Sequence, residues 1–218
     1  MVIDGNTKLE VLHDHYKESF SHIREREKQR DRLFAIIIAF IGILFLEIQY
    51  SDIFSNILGN IKLEFVELNV SIMPISVFLS ITWTYLFIVV LRYCQTSILI
   101  ERQYDYLHKL EEKISDVFEN QNIYSREGKA YLDKYPLFSD LVWIFYTILF
   151  PILVILSVGS INYLEGYKIE ASLYYLIYDS FLTIGVIISF ILYRFFPLAK
   201  ELLKSAKQKV ENLIGNKN

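Results

Sequence analysis

A single cysteine, Cys94, stands among the 218 residues, so an internal disulfide and a thiolate-only metal site are both excluded. Glycine and proline are almost as scarce, at eight and four, and glycines scattered singly cannot build a phosphate-cradling loop. The same scarcity favours long helices over loops and low-complexity segments. Charge of one sign is lacking too: the formal balance of −3 supplies no field that would recruit nucleic acid or an acidic substrate. Neither G-x-S-x-G nor H-E-x-x-H occurs, and no segment repeats at a fixed period. What the chain does have is apolar surface, with 53 % apolar and 16 % aromatic side chains, more than an ordinary soluble core uses.

That excess is concentrated in four runs. A bilayer core roughly 30 Å thick asks for about 20 apolar residues in a helix, and lipid leaves an open chain no other way to satisfy its backbone. Residues 71–91 and 141–164 are free of Lys, Arg, Asp and Glu, residues 33–50 carry only Glu47, and residues 173–196 carry Asp179 and Arg194. The sequence therefore predicts an all-α integral membrane protein with four transmembrane helices. Twenty of the 22 Lys and Arg fall in residues 1–32, 92–140 and 194–218, against Lys62 in 51–70 and Lys168 in 165–172. The positive-inside rule then puts both termini and the central loop in the cytoplasm. The expected location is a bacterial inner membrane.

The stretch before the first run is dense in charge. Ile23–Arg32 holds eight charges, and Arg24, Arg26, Lys28, Arg30 and Arg32 are basic, whereas Leu33–Leu46 holds none. Interleaved acids speak against a nucleic-acid patch. Bases just cytoplasmic of an apolar run set orientation and meet lipid phosphates, a role shared by Arg92 and Arg194 after the second and fourth runs. Upstream, Leu9, Leu12, Tyr16, Phe20 and Ile23 make one face of an amphipathic helix over residues 1–32. Ile100, Tyr104, Leu107, Leu110, Ile114 and Val117 make another, expected to prolong the second span to about Asn120. Leu198, Leu202, Ala206, Val210 and Leu213 make a third, in a new helix over residues 197–218 opened by Pro197. Outside, Ile61–Phe65 and Tyr167–Glu170 alternate in a way that allows a small hairpin-like cap.

Few residues offer chemistry. Glu10-Val-Leu-His13 has di-iron spacing, but a di-iron centre needs a second such pair and further carboxylates, so Glu10, Asp14, Glu18 and His22 read as a solvated helix face. No metal, no cofactor and no enzymatic activity are expected. Glu47 and Asp179 are the sharper candidates, because a charge inside a span costs roughly 2.5 to 3.5 kcal/mol and usually faces a bundle interior or water. With Gln49 and Asn162 they could line an outward-facing acidic vestibule for cations. The structural alternative is preferred: a fourth span starting at Ser180 makes Asp179 its N-cap, Leu173–Tyr178 an aromatic belt, and Glu47 a headgroup neighbour. Pro151 and Gly159 interrupt the third run and suggest a bend or a hinge.

A charged helix leading straight into a hydrophobic span is similar in architecture to the small multi-span effectors of bacterial anti-phage systems, over about the first 120 residues and without a shared motif. That resemblance implies an oligomeric channel-like or membrane-perturbing component of signalling or antiviral defence, gated through its cytoplasmic helices. The alternative is a membrane anchor or scaffold that offers residues 97–135, a coiled-coil-like surface, to a cytosolic protein. In either case the partners are the lipid bilayer and further copies of the chain, with no nucleic acid.

Overall fold

The computed structural model describes residues 5–59, 74–117, 141–142, 144–169 and 172–215. Its elements are α1 (Gly5–Gln49), α2 (Ser51–Gly59), α3 (Ile75–Val117), a π-helical turn at Phe145–Leu149, α4 (Phe150–Lys168) and α5 (Leu173–Gly215). Among the described residues there is no strand. Among the described residues three helices are long and apolar enough to cross a membrane: Ile75–Asp116 within α3, Phe145–Lys168, and Leu173–Phe195 within α5. The described part of the protein is thus all-α, with three helices able to span a membrane rather than the expected four. The first apolar run is the short one. Its fourteen uncharged residues, Leu33–Leu46, rise roughly 21 Å as a helix, less than a bilayer core.

Each helix buries a narrow stripe and leaves apolar side chains outward. In α3, Leu79, Trp83, Leu86, Val90 and Tyr93 are buried at alternating steps of four and three, while Ile81, Tyr85 and Ile88 are exposed. α4 buries Val154, Val158 and Ile161 and exposes Ile152 and Leu156; α5 buries Leu182, Val186 and Phe190 and exposes Phe181, Ile184 and Ile188. α1 does the same in its second half, with Ile37 and Leu44 inside and Ile38 and Phe45 outside. A soluble protein covers such faces, and hydrocarbon chains leave them as they are. The most extensive pairing is α1 with α3, and α3 also packs on α5. A methyl group on Gly185 of α5 would come within 2.8 Å of the Phe87 ring of α3, so the absence of a side chain there permits the close approach.

Several expectations need correction. α5 continues through Pro197 to Gly215, so this proline lies inside a helix and does not open a new one. Residues 51–59 of the expected outer loop are helical. Tyr167 and Lys168 form the last turn of α4, which removes one of the two candidate cap strands; the other, residues 61–65, lies outside the described residues. Below the bundle, α1 and α3 continue side by side. Ile23, Ile100, Leu107, Leu110 and Ile114 are buried there, and the hydroxyls of Tyr16 and Tyr104 donate to Glu111 (3.3 Å) and Glu27 (3.0 Å) across the pair. Glu10, Asp14, Glu18 and His22 stay exposed, a solvated face as expected.

Candidate functional site

Glu47, Glu165 and Asp179 continue the buried stripes of α1, α4 and α5. Glu165 follows Val154, Val158 and Ile161 at steps of four, three and four, and Asp179 precedes Leu182 and Val186 at three and four. Helical spacing therefore turns all three carboxylates inward. Their exposures are 4 %, 0 % and 0 %.

One turn of α3 receives them. Ser80 Oγ donates to Asp179 Oδ2 (2.9 Å), Thr82 Oγ1 to Glu47 Oε1 (3.1 Å) and Trp83 Nε1 to Glu165 Oε2 (2.9 Å). Three acids from three helices thus meet donors spaced within four residues of another. Each carboxyl uses one oxygen in this way. The others, Glu47 Oε2, Glu165 Oε1 and Asp179 Oδ1, are buried and have no hydrogen-bond donor among the described residues. The Glu165 and Asp179 carboxyls lie within hydrogen-bonding reach of each other, and Glu47 is close enough for its charge to act on Glu165.

Beyond the acids, toward the ends of α1 and α4, a polar layer follows. Lys168 Nζ donates to Gln49 Oε1, Ser180 Oγ donates to Asn162 Oδ1 (3.3 Å), and the hydroxyls of Thr84 and Tyr178 are paired at 2.9 Å. Lys168 is one turn beyond Glu165 but is exposed and engaged with Gln49.

Sequence reasoning singled out Glu47 and Asp179, and the structure brings them to the same turn of α3. They are enclosed by the bundle and do not line an open vestibule. Asp179 is no N-cap, since α5 begins six residues earlier at Leu173, and the Glu47 side chain is buried among the helices. Of the other polar candidates, Gln49 is exposed and Asn162 half-buried. Glu165 was missed because it marked the end of an uncharged run. The available signal was its register with Val154, Val158 and Ile161.

The end of the bundle away from the acids is built from rings. Phe150 lies 4.5 Å from Phe34, 5.2 Å from Tyr93 and 6.3 Å from Phe190, centroid to centroid, so one ring touches helices α1, α3 and α5. Beside it, Pro151 explains the wide turn. The proline ring clashes with the carbonyl of residue 147 in an α-helix, and the turn widens so that the Phe150 N–H reaches Phe145 O. In that wider register the Tyr146 carbonyl faces residue 151, which has no N–H. Tyr93 Oη donates to it from α3 (3.3 Å). Removing that hydroxyl in Tyr93→Phe leaves the carbonyl without its donor and is expected to cost about 1–3 kcal/mol in denaturant unfolding of the purified protein. Gly159 sits farther along on the exposed side of the unbroken α4, so the irregularity belongs to Pro151 alone.

Among the bases, Arg30 reaches this ring layer. Its guanidinium stands 4.5 Å from the Tyr146 ring centroid and 3.0 Å from Asp31 Oδ1. Arg24 lies 5.0 Å over the Phe20 ring, Arg26 is half-buried, and Lys28, Arg32, Arg92 and Arg194 are exposed. No group of three or more His, Cys, Asp or Glu among the described residues is arranged to hold a metal ion. No protein-family model matches the chain, and neither a curated protein nor a solved structure matches it significantly.

Proposed function

We propose that the protein is an oligomeric, channel-like signalling or defence component of a bacterial inner membrane, gated through its cytoplasmic helices. The observation that carries this reading is the gathering of Glu47, Glu165 and Asp179 on one turn of α3. Charged groups inside a membrane bundle are costly, and they mark ion or proton pathways far more often than stability devices.

The reading includes α1 as a fourth span. Its support is that all four long helices contribute to both cross-sections. The acid level joins Glu47, Trp83, Glu165 and Asp179, and the ring level joins Phe34, Tyr93, Phe150 and Phe190. Those pairs are ten to fifteen residues apart on their own helices, roughly 15 to 22 Å at the helical rise. Both levels therefore fit within one bilayer core, and α1 passes through it beside the other three. With the basic segments cytoplasmic, the ring level faces inward and the acid level outward. α1 and α3 then run without interruption from the cytoplasm to the acids, which is the route for gating.

The test is cation flux through proteoliposomes holding the full chain. Flux above that of protein-free vesicles is expected, and vesicles that stay tight at every pH and voltage refute the reading. A second reading, a non-catalytic anchor that offers its cytoplasmic helices to a partner, draws on the α1–α3 pair below the bundle, with Val11 and Tyr106 exposed on it. Residues 118–135 of that expected surface lie outside the described residues. Silent vesicles together with a cytosolic protein captured through residues 97–135 would favour it.

A further inference from the structure

Three carboxylates whose second oxygens are buried and undonated need a positive charge among them. Among the described residues, the neighbouring elements supply none that is free to act. α1 presents Glu47 and the neutral Gln49, and α3 presents Ser80, Thr82 and Trp83. α4 carries Lys168, exposed and bonded to Gln49, together with Tyr163 and Tyr167, which are exposed. α5 carries Tyr174 and Tyr178, exposed, and Tyr175, half-buried. The smallest cation fits the geometry best: Glu165 and Asp179 stand within hydrogen-bonding reach, and two acceptor oxygens can bond only through a proton.

We propose that Glu165 and Asp179 bind one proton between them, forming a hydrogen-dicarboxylate pair that ties α4 to α5 inside the membrane. One proton joins two carboxylates, and the pair then carries one negative charge in place of two. Ser80 and Trp83 orient the pair by each holding one of its oxygens, which leaves Asp179 Oδ1 and Glu165 Oε1 as the acceptors available to the proton. Glu47, held by Thr82 and close enough for its charge to act on Glu165, is the next acceptor for a proton that leaves. Release of the shared proton sets two like charges side by side in a medium of low dielectric, and α4 and α5 are driven apart at that level. The site is therefore a proton-binding latch.

This inference rests on the acid site of the reading above but not on conduction. Infrared spectra of the full chain in lipid nanodiscs at pH 7, in H2O and in D2O, test it. A protonated-carboxyl signal that shifts in D2O is expected, absent from Glu165→Gln and from Asp179→Asn and retained in Glu10→Gln. No such signal in the wild type, or one that survives both substitutions, overturns the proposal; so does a signal that sodium or calcium ions displace at constant pH, which assigns the site to a metal cation. Trp83 gives an independent readout, since its indole donates to Glu165. In a Trp143→Phe background its emission is expected to shift over the pH interval in which the infrared signal fades, and flat emission across that interval overturns the assignment. A persistent infrared signal with tight vesicles refutes conduction alone, whereas flux without the signal refutes the shared proton alone.

Discussion

Neutralising all three acids, in the combined variant Glu47→Gln, Glu165→Gln and Asp179→Asn, is expected to lower cation flux on the order of tenfold or more while leaving the protein at least as stable as before. The two effects have one cause. A carboxylate in the bundle loses its hydration, and the hydroxyl of Ser80, the hydroxyl of Thr82 and the indole of Trp83 restore one hydrogen bond each. One oxygen on each acid is left undonated. Replacing buried charges by neutral groups of similar volume is commonly neutral or stabilising, by about 1–4 kcal/mol, and amides keep an oxygen to accept from α3. A group retained at such a cost is retained for something other than folding. Flux in proteoliposomes measures the first half of the expectation and thermal unfolding in detergent the second. A variant that is both less stable and fully conducting would reverse the argument, making the acids structural and placing the pathway elsewhere.

Much of the architecture is legible in the sequence because lipid imposes simple demands. Uncharged runs of about 20 residues and apolar stripes at helical spacing locate α3, α4 and α5. The stripes Leu9–Ile23 and Ile100–Val117 imply two amphipathic helices that can pack together, and α1 and α3 do pack there. The errors are of a different kind. Pro197 reads as the start of a helix because proline lacks an N–H, yet inside a membrane-proximal helix that loss is tolerated and α5 continues. Asp179 reads as a cap because charge is expected at the end of a span. Packing decided otherwise, since the helix begins at Leu173 and its second turn is already inside the bundle. Glu165 was invisible for the same reason, as a charge that closes an uncharged run looks like an edge. The three acids are far apart in the chain, and only the crossing of four helices shows that they share one turn of α3. Heptad-like register is the one local signal that distinguishes an inward acid from a boundary acid.

The junction between the cytoplasmic helices and the bundle makes the second strong expectation. A Gly-Gly insertion after Arg30 is expected to abolish gating while leaving membrane insertion intact. Two added residues rotate everything upstream by roughly 200° about the α1 axis and displace it by about 3 Å. Ile23 then leaves its buried position, and Tyr16 and Glu27 lose their partners Glu111 and Tyr104 on α3. Two glycines also soften the helix by about 1 kcal/mol each relative to alanine. Downstream of the insertion, the contacts from Phe34 to Glu47 that hold α1 in the bundle are untouched. Arg30 itself keeps its place over Tyr146 only if it stays joined to Leu33, so inserting after Arg30 pulls it away from the π-helical turn beside Pro151. Inserting after Arg32 moves the same contact, whereas inserting before Ile23 leaves Arg30 seated and disturbs only the lower pair. Comparing flux for the first and last of these insertions separates two routes. Loss in both means that motion passes along the whole α1–α3 pair, and loss only after Arg30 means that it passes through Arg30 and the turn at Tyr146. Gating that survives both insertions removes the cytoplasmic helices from the mechanism and leaves the acid level to respond to its own surroundings.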